Sequence, residues 1–337
     1  MEKVLNTKGL GVSGRQNELI ELALTFKFNS VEVDMNDLIG RHDTMGKEFA
    51  CQFLESAKIN IGTFDLPIDI DAADEQYNKA CEQLDTIFSL CETLGGKRCR
   101  IQIATSSDEP FQQNFERHRT RLFDLGEKFA AKGMFLGLTN QLVGKNEKDN
   151  KFIHSAEELL TLVKTVGHAS VGLYLDTWIW QATGGAMDQI SDLDCSKITA
   201  LAMADLSENA DPANITMADR VLPGDNSSSF SIDVFKHLKS KGFEGPASFA
   251  TYLSTFANTS RDTVVNRISK RLDCLISGES FESIDERPIS AIFAEASFDD
   301  RKNSKEPAAD SSKEPAKEVA GEKNGEAKAP DAVAAAE

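Results

Sequence analysis

The 337-residue sequence is poor in aromatic side chains and has no long hydrophobic run. Aromatic residues make up 7% of the chain, and only 2 residues are tryptophan. No stretch approaches the ~20 apolar residues that a membrane-spanning helix requires. The first residues, MEKVLNTKGLGVSG, lack the apolar segment of a secretory signal. We therefore expect a protein that stays in the cytoplasm and does not bind membranes.

Paired cysteines and an excess of positive charge are also absent. The 6 cysteines include no CxxC pair, which indicates free thiols rather than a disulfide framework or a zinc site. The 37 Lys and Arg residues are outnumbered by 54 Asp and Glu residues, which gives a formal net charge of -17. Such an acidic surface repels phosphate backbones, which argues against general nucleic-acid binding.

The composition changes near residue 299. Residues 299–337 contain no aromatic residue and are rich in Ala, Glu, Lys and Pro. Such a segment buries too little apolar surface to offset the entropy that is lost on ordering it. The sequence therefore predicts a folded domain over residues 1–298 and a disordered tail over residues 299–337.

The folded part alternates short apolar runs with longer amphipathic segments. The candidate strands are residues 10–13, 30–34, 59–64, 98–103, 134–138, 170–175, 198–203 and 246–249. The segments between them show the periodicity of helices. Strands and helices that alternate in this number match a (β/α)8 barrel. An open doubly wound sheet is disfavoured, because no Gly-rich phosphate loop follows an early strand. The predicted fold class is therefore α/β, a TIM barrel with a disordered C-terminal tail.

Carboxylates occur where several of the predicted strands end. The set comprises Glu32, Asp34, Asp65, Asp176 and Asp205. In a TIM barrel the functional residues lie at the C-terminal ends of the strands. For two of these carboxylates the alternative is a purely structural role. Glu32 could form a salt bridge with Arg100 or Arg98, and Asp176 could accept hydrogen bonds from loop amides.

Several segments resemble a known family. GRQNELIELALTFKFNSVEVD, VGLYLDTW, RVLPGD and GFEGPASF are similar to segments of the xylose isomerase-like TIM barrels, and more narrowly of the sugar phosphate isomerase/epimerase family. The resemblance implies one divalent metal ion, held by Glu, Asp, His and Glu side chains from strands five to eight. It also implies that the two glutamates move a proton next to a sugar carbonyl, which the metal polarises.

Most of these implied positions carry other residues in this sequence. The two glutamates fall on Thr139 and Ala250, and the histidine ligand falls on Ala202. Asp176 is the only family ligand that is kept, so we expect low metal occupancy. A further histidine of the family, which contacts the substrate, falls on Ile179. The resemblance thus implies that the metal-dependent reaction is lost.

The leading hypothesis is a catalytically degenerate member of this family that acts as a carbohydrate- or partner-binding barrel, without a metal cofactor and without assigned catalytic residues. The expected ligand is a small sugar or polyol. The candidate substrate-binding residues are Glu32, Asp176, Trp178, Asp205 and Arg220. Trp178 is either an aromatic platform for a sugar or a side chain that fills volume. Arg220 either lies near the substrate or shapes its loop.

Two alternatives remain open at this stage. One is an active sugar isomerase, epimerase or lyase whose five carboxylates hold one divalent cation, Mn2+ or Mg2+, at a relocated site. The other is a scaffold that binds a protein partner, and a homo-oligomer is compatible with each hypothesis. His118 lies between charged residues on a predicted helix, so we expect it to be exposed to solvent.

Overall fold

Eight parallel strands close into a barrel in the computed structural model. Each strand pairs with the next along the chain, and the last pairs with the first. The strands are β1 (Glu2–Leu5), β2 (Ser30–Val33), β3 (Asn60–Asp65), β4 (Arg98–Ile103), β5 (Phe135–Asn140), β6 (Val171–Asp176), β7 (Ile198–Met203) and β8 (Pro246–Phe249). The predicted TIM barrel is confirmed.

The structure describes residues 1–142, 148–211, 214–224, 229–251, 256, 259–281 and 284. The predicted tail over residues 299–337 and the domain boundary at residue 298 lie outside this part of the chain. Both stay predictions.

Helices surround the barrel and cover the apolar strands. They are α1 (Gln16–Thr25), α2 (Met35–Met45), α3 (Lys47–Ala57), α4 (Asp74–Cys81), α5 (Leu84–Leu94), α6 (Phe111–Ala130), α7 (Ala156–Val166), α8 (Thr177–Ala182), α9 (Met187–Ser191), α10 (Phe230–Ser240) and α11 (Arg261–Ser277). Parallel strands covered on both faces are rich in apolar residues, and every residue of β6 and β7 is buried. Among the described helices, none is long and apolar enough to cross a membrane.

The first predicted strand is wrong. Residues 10–13 do not pair with a strand, and β1 lies at Glu2–Leu5 instead. Leu10 and Val12 are buried, but they belong to a loop in which the Gly9 amide donates a hydrogen bond to Asn6 Oδ1 over 2.6 Å. An apolar run can therefore pack against the core without joining the sheet. The other seven predicted strands agree with the observed bounds within two residues.

The expectation for His118 is also wrong. Its side chain is fully buried on the inner face of α6 and packs against the ring of Phe152. Its Nδ1 lies 2.9 Å from the Asn114 carbonyl oxygen, and its Nε2 lies 3.4 Å from Asp71 Oδ1. Burial lowers the pKa of His118, although the charge of Asp71 acts in the opposite direction. Charged neighbours in the sequence therefore did not indicate the exposed face of this helix.

Candidate functional site

Asp176 forms a buried ion pair with Arg220. Asp176 ends β6, and its Oδ1 accepts hydrogen bonds from the amides of Trp178 and Ile179, both over 3.1 Å, at the start of α8. Its Oδ2 accepts a hydrogen bond from Arg220 Nη2 over 2.8 Å. The two side chains are only 3% and 7% exposed. Both carboxylate oxygens of Asp176 are therefore bonded within the protein. The backbone amides that bond Oδ1 agree with the structural role considered for Asp176, whereas the bond to Arg220 was not predicted.

Arg220 reaches this position from a short antiparallel ladder, in which Arg220–Val221 pairs with Asp205–Leu206. Its Nη1 donates a hydrogen bond to the carbonyl oxygen of Ala250, directly after β8, over 2.7 Å. Its guanidinium carbon lies 4.4 Å from the centre of the Trp178 ring. The guanidinium thus links the ends of β6 and β8 and stacks on an aromatic ring of α8.

The remaining positions that the resemblance assigns to a metal are apolar or neutral. Ala202 and Ala250 pack with Tyr174 and Ala200 in a small buried cluster. Thr139 is 2% exposed at the end of β5. Burial raises the pKa of the Tyr174 hydroxyl. The side chains at these positions are therefore buried and offer neither a carboxylate nor an imidazole.

These residues do not fit the divalent metal ion that the resemblance implies. Such an ion needs several hard oxygen or imidazole ligands. The only carboxylate at these positions, Asp176, is already paired with a guanidinium, whose positive charge repels a second cation. Over the described ranges of the chain, no group of three or more His, Cys, Asp or Glu side chains is arranged to hold a metal.

Asp205 belongs to a different network. Its Oδ1 accepts hydrogen bonds from the Ser231 amide over 2.9 Å and from the Ser231 hydroxyl over 2.5 Å. The Ser231 hydroxyl in turn lies 2.7 Å from the Thr177 hydroxyl. Asp34 also forms a hydrogen bond within its own segment, since its Oδ1 accepts one from the Asn36 amide at the start of α2. The structure therefore does not gather the five strand-end carboxylates into one cluster.

A cavity of about 1100 Å³ opens at the barrel mouth. It lies at the C-terminal ends of β2 and β3, next to the loop that follows β1 and to helices α1 and α2. Its lining includes Glu32, Asp65, Lys8, Arg15 and Arg41. Among the five candidate substrate-binding residues, only Glu32 lines this cavity.

Glu32 is a buried carboxylate with few partners. Its side chain is 7% exposed, and Oε1 lies 3.6 Å from Arg100 Nη2. Its Oε2 accepts a hydrogen bond from the Thr63 hydroxyl over 3.3 Å. Burial raises the pKa of Glu32 and outweighs the attraction of Arg100 and Lys8. The predicted salt bridge is confirmed for Arg100.

Arg100 also binds Asp65, which extends the cluster of charges. Arg100 Nε donates a hydrogen bond to Asp65 Oδ1 over 2.5 Å, and Lys8 Nζ donates to Asp65 Oδ2 over 3.2 Å. Burial raises the pKa of Asp65, but the hydrogen bond and charge of Arg100, together with Lys8, outweigh it, so this pKa is lowered. Alternating negative and positive charges follow one another through Glu32, Arg100, Asp65 and Lys8, and we call these four residues the Glu32 cluster.

Neither Arg100 nor Lys8 was predicted from the sequence to belong to a site. A signal for Arg100 is present in β4, RCRIQI, where polar and apolar residues alternate. Alternating positions of a strand face opposite sides, and Cys99, Ile101 and Ile103 face the helices. Arg100 therefore faces the barrel interior. No local pattern marks Lys8, which lies in the loop after β1.

We predict that Glu32→Gln reduces the pH dependence of stability. Because the folded-state pKa of Glu32 lies above the ordinary value of 4.5, its contribution to stability is present below that value and is lost as the pH rises through the folded-state pKa. Urea unfolding over a series of pH values should show the wild-type protein losing stability relative to the variant as the pH rises. Glu55→Gln, at an exposed position of α3, is the control and should follow the wild-type profile. Parallel profiles for wild type and Glu32→Gln would contradict this prediction.

Comparisons with known proteins place the chain in a family. The model of the xylose isomerase-like TIM barrels matches residues 20–267. The inosose isomerase of Halalkalibacterium halodurans is 30% identical over 117 residues. That match covers 32% of this chain and 41% of the enzyme, so it spans less than half of the relative's length.

Solved structures share the fold. A xylose isomerase domain protein from Alicyclobacillus acidocaldarius is 20% identical, with a TM-score of 0.72 over 82% of this chain and 98% of its own. The 3-keto-D-glucoside 4-epimerase of E. coli is 14% identical, with a TM-score of 0.59 over 82% of this chain and 99% of its own. At these identities the likeness concerns the fold alone. Since the family model covers most of the barrel, the chain belongs to the xylose isomerase-like TIM barrel family.

Proposed function

We propose that this chain is a member of the family that has lost the metal-dependent isomerase or epimerase reaction and binds a small sugar or polyol. The observation that carries the proposal is the position of Arg220, whose guanidinium is bound to Asp176 and to the Ala250 carbonyl. The name of the inosose isomerase supports a polyhydroxylated ligand.

A guanidinium does not replace the chemistry of a metal ion. A divalent ion has coordination positions that polarise a carbonyl oxygen of the substrate. The guanidinium of Arg220 instead directs two of its donors at Asp176 and Ala250, within the protein. The resemblance places the family's two glutamates at Thr139 and Ala250, and neither side chain can act as a carboxylate acid or base. Ligand binding can persist without these groups, whereas proton transfer by the family's route cannot.

The proposal is tested by titrating purified protein with Mn2+, Mg2+ and Co2+ in a calorimeter, after removal of bound ions with a chelator. We expect no stoichiometric binding of any of the three. Sugar and polyol binding should then be the same with and without chelator. One tightly bound equivalent of metal, or metal-dependent turnover of a sugar, would overturn the proposal.

A further inference from the structure

The loop that joins β3 to α4, residues 66–73, borders the cavity at the barrel mouth. Its first two residues, Leu66 and Pro67, line the cavity. Within the loop, the Ile68 amide donates a hydrogen bond to the Leu66 carbonyl oxygen over 2.8 Å, and the Asp71 amide donates one to Asp69 Oδ1 over 2.9 Å. Such local bonds do not fix the position of the loop relative to the barrel, which depends on its contacts with other elements.

Arg121 of α6 anchors the far end of this loop. Its Nη1 donates hydrogen bonds to the carbonyl oxygens of Ile70 and Ala72, both over 2.7 Å, and its Nη2 donates one to Asp74 Oδ1 over 2.5 Å. The Arg121 side chain is only 7% exposed. Because an arginine in a protein stays charged, its two bonds to the loop carbonyls do not depend on pH.

His118 of α6 forms a second contact with the loop, and this contact can titrate. Its Nε2 lies 3.4 Å from Asp71 Oδ1, and Arg117 Nη2 lies 3.8 Å from the same oxygen. His118 is fully buried, and among the described residues no partner is hydrogen-bonded to its Nε2. The ring of Phe152, from the segment after β5, also covers His118, with 4.7 Å between the ring centres. His118 therefore meets solvent only when one of the covering segments moves.

The surroundings of His118 disfavour a positive charge on its ring. The charged side chains that face it or bind to its neighbours are Asp71, Asp74, Glu109, Arg117 and Arg121. Burial lowers the pKa of His118 below its ordinary value of 6.5, and the charge of Asp71, opposed by those of Arg117 and Arg121, does not restore it. An imidazolium at this place would be a third cation on one turn of α6, shut away from water.

We propose that His118 and Asp71 form an acid-sensitive clasp, which holds the loop of residues 66–73 against α6 at neutral pH and releases it when His118 takes up a proton. The loop is the segment that moves, because the segment of Phe152 is tied down. The Phe152 amide donates a hydrogen bond to the Thr105 carbonyl oxygen over 2.9 Å, and residues 150–151 pair with residues 106–107. Since the start of the loop lines the cavity, its release changes the cavity wall.

The direction of the pH response follows from the burial of His118. The closed loop keeps the ring neutral, whereas an exposed ring takes up a proton with a pKa of about 6.5. The closed state is therefore fully favoured above that value and loses stability as the pH falls towards the lowered pKa of the buried ring. The ratio of open to closed molecules rises by up to about tenfold for each pH unit in this range. The clasp does not depend on which ligand the cavity binds.

The test is hydrogen–deuterium exchange of the full chain, followed by mass spectrometry between about pH 7.5 and 5.5. After correction for the pH dependence of the chemical exchange step, exchange of residues 66–73 should rise severalfold, by up to about tenfold, as the pH falls. Residues 148–153, on the other side of His118, should show no such rise. A constant corrected exchange of the loop, or an equal rise in both segments, would overturn the inference.

His118→Gln is the decisive variant, because glutamine is of similar length and does not titrate. Its loop exchange should be independent of pH over this range. His168→Gln is the matched control, since His168 is 8% exposed and its Nε2 also contacts α6, 2.8 Å from Glu127 Oε1. That control should keep the full rise, and so should Glu32→Gln, which separates the clasp from the titration of Glu32. A full rise in His118→Gln would contradict the clasp.

The ring signals of His118 in nuclear magnetic resonance spectra of the wild type give a measurement that needs no variant. His118 should titrate below its ordinary value of 6.5, over the pH range in which loop exchange rises. A ring that titrates at or above this value would show that the closed loop accommodates the imidazolium, and the clasp would then be rejected whether or not His118→Gln folds.

Discussion

Replacement of Arg220 by leucine should lower the free energy of unfolding by about 3–5 kcal/mol. Asp176 would then remain buried, with one oxygen facing no cation. Removing one partner of a buried ion pair is costly, because the charge that remains has lost both its solvation and its counter-ion. The variant would also lose the hydrogen bond to the Ala250 carbonyl and the contact with the Trp178 ring.

Urea unfolding followed by far-ultraviolet circular dichroism measures this effect. The matched control is Arg119→Leu on α6, which removes a surface pair with Glu116 whose side chains are 39% and 56% exposed. That control should cost at most about 1 kcal/mol. The double variant Asp176→Asn/Arg220→Leu should recover part of the loss, because no unpaired buried charge remains. Equal costs for Arg220→Leu and Arg119→Leu would show that the buried pair has no special role.

Replacement of Trp178 by alanine should lower the free energy of unfolding by about 3–5 kcal/mol as well. Trp178 is fully buried and is the largest of the fully buried side chains in the described part of the chain. It packs with Ile179 and Ala204, and its ring supports the guanidinium of Arg220. Removing it leaves a large cavity beside a buried ion pair. Phe53→Ala is the control, since Phe53 is 41% exposed on α3, and it should have a much smaller effect.

The same variant separates the two interpretations of Trp178. Trp178 does not line the cavity beside Glu32, so a folded Trp178→Ala protein should retain the affinity of the wild type for an uncharged polyol. Trp178→Phe, which fills more of the volume, provides a second protein for this measurement. Loss of ligand binding in both variants, with little loss of stability, would restore the hypothesis of an aromatic platform for a sugar.

The barrel was predictable because its strands carry strong local patterns. The observed bounds of β4, β7 and β8 coincide with the predicted residues 98–103, 198–203 and 246–249. Each is a short run of residues that fits a buried or inward-facing strand between polar segments. β1 was missed because two of its four residues, Glu2 and Lys3, are charged, while the apolar run in the following loop gave a stronger signal.

The site was less predictable because its contacts join distant parts of the chain. Asp176 and Arg220 are 44 residues apart, and Glu32 and Arg100 lie on different strands. Periodicity and motif spacing report on neighbours within one element, not on which side chains meet across a barrel. The sequence did indicate Glu32, Asp176 and Arg220 as candidates, but not which of them face a cavity and which fill the interior.

By itself the sequence indicated the family and the barrel, because these depend on local patterns and on residue type. Only the tertiary structure decided that the guanidinium of Arg220 pairs with Asp176, and that Glu32, rather than Asp176 or Asp205, borders an open cavity. The physical reason is that burial and pairing of charges depend on distances across the closed barrel. Those distances arise when β1 pairs with β8 and brings the ends of all eight strands to one face.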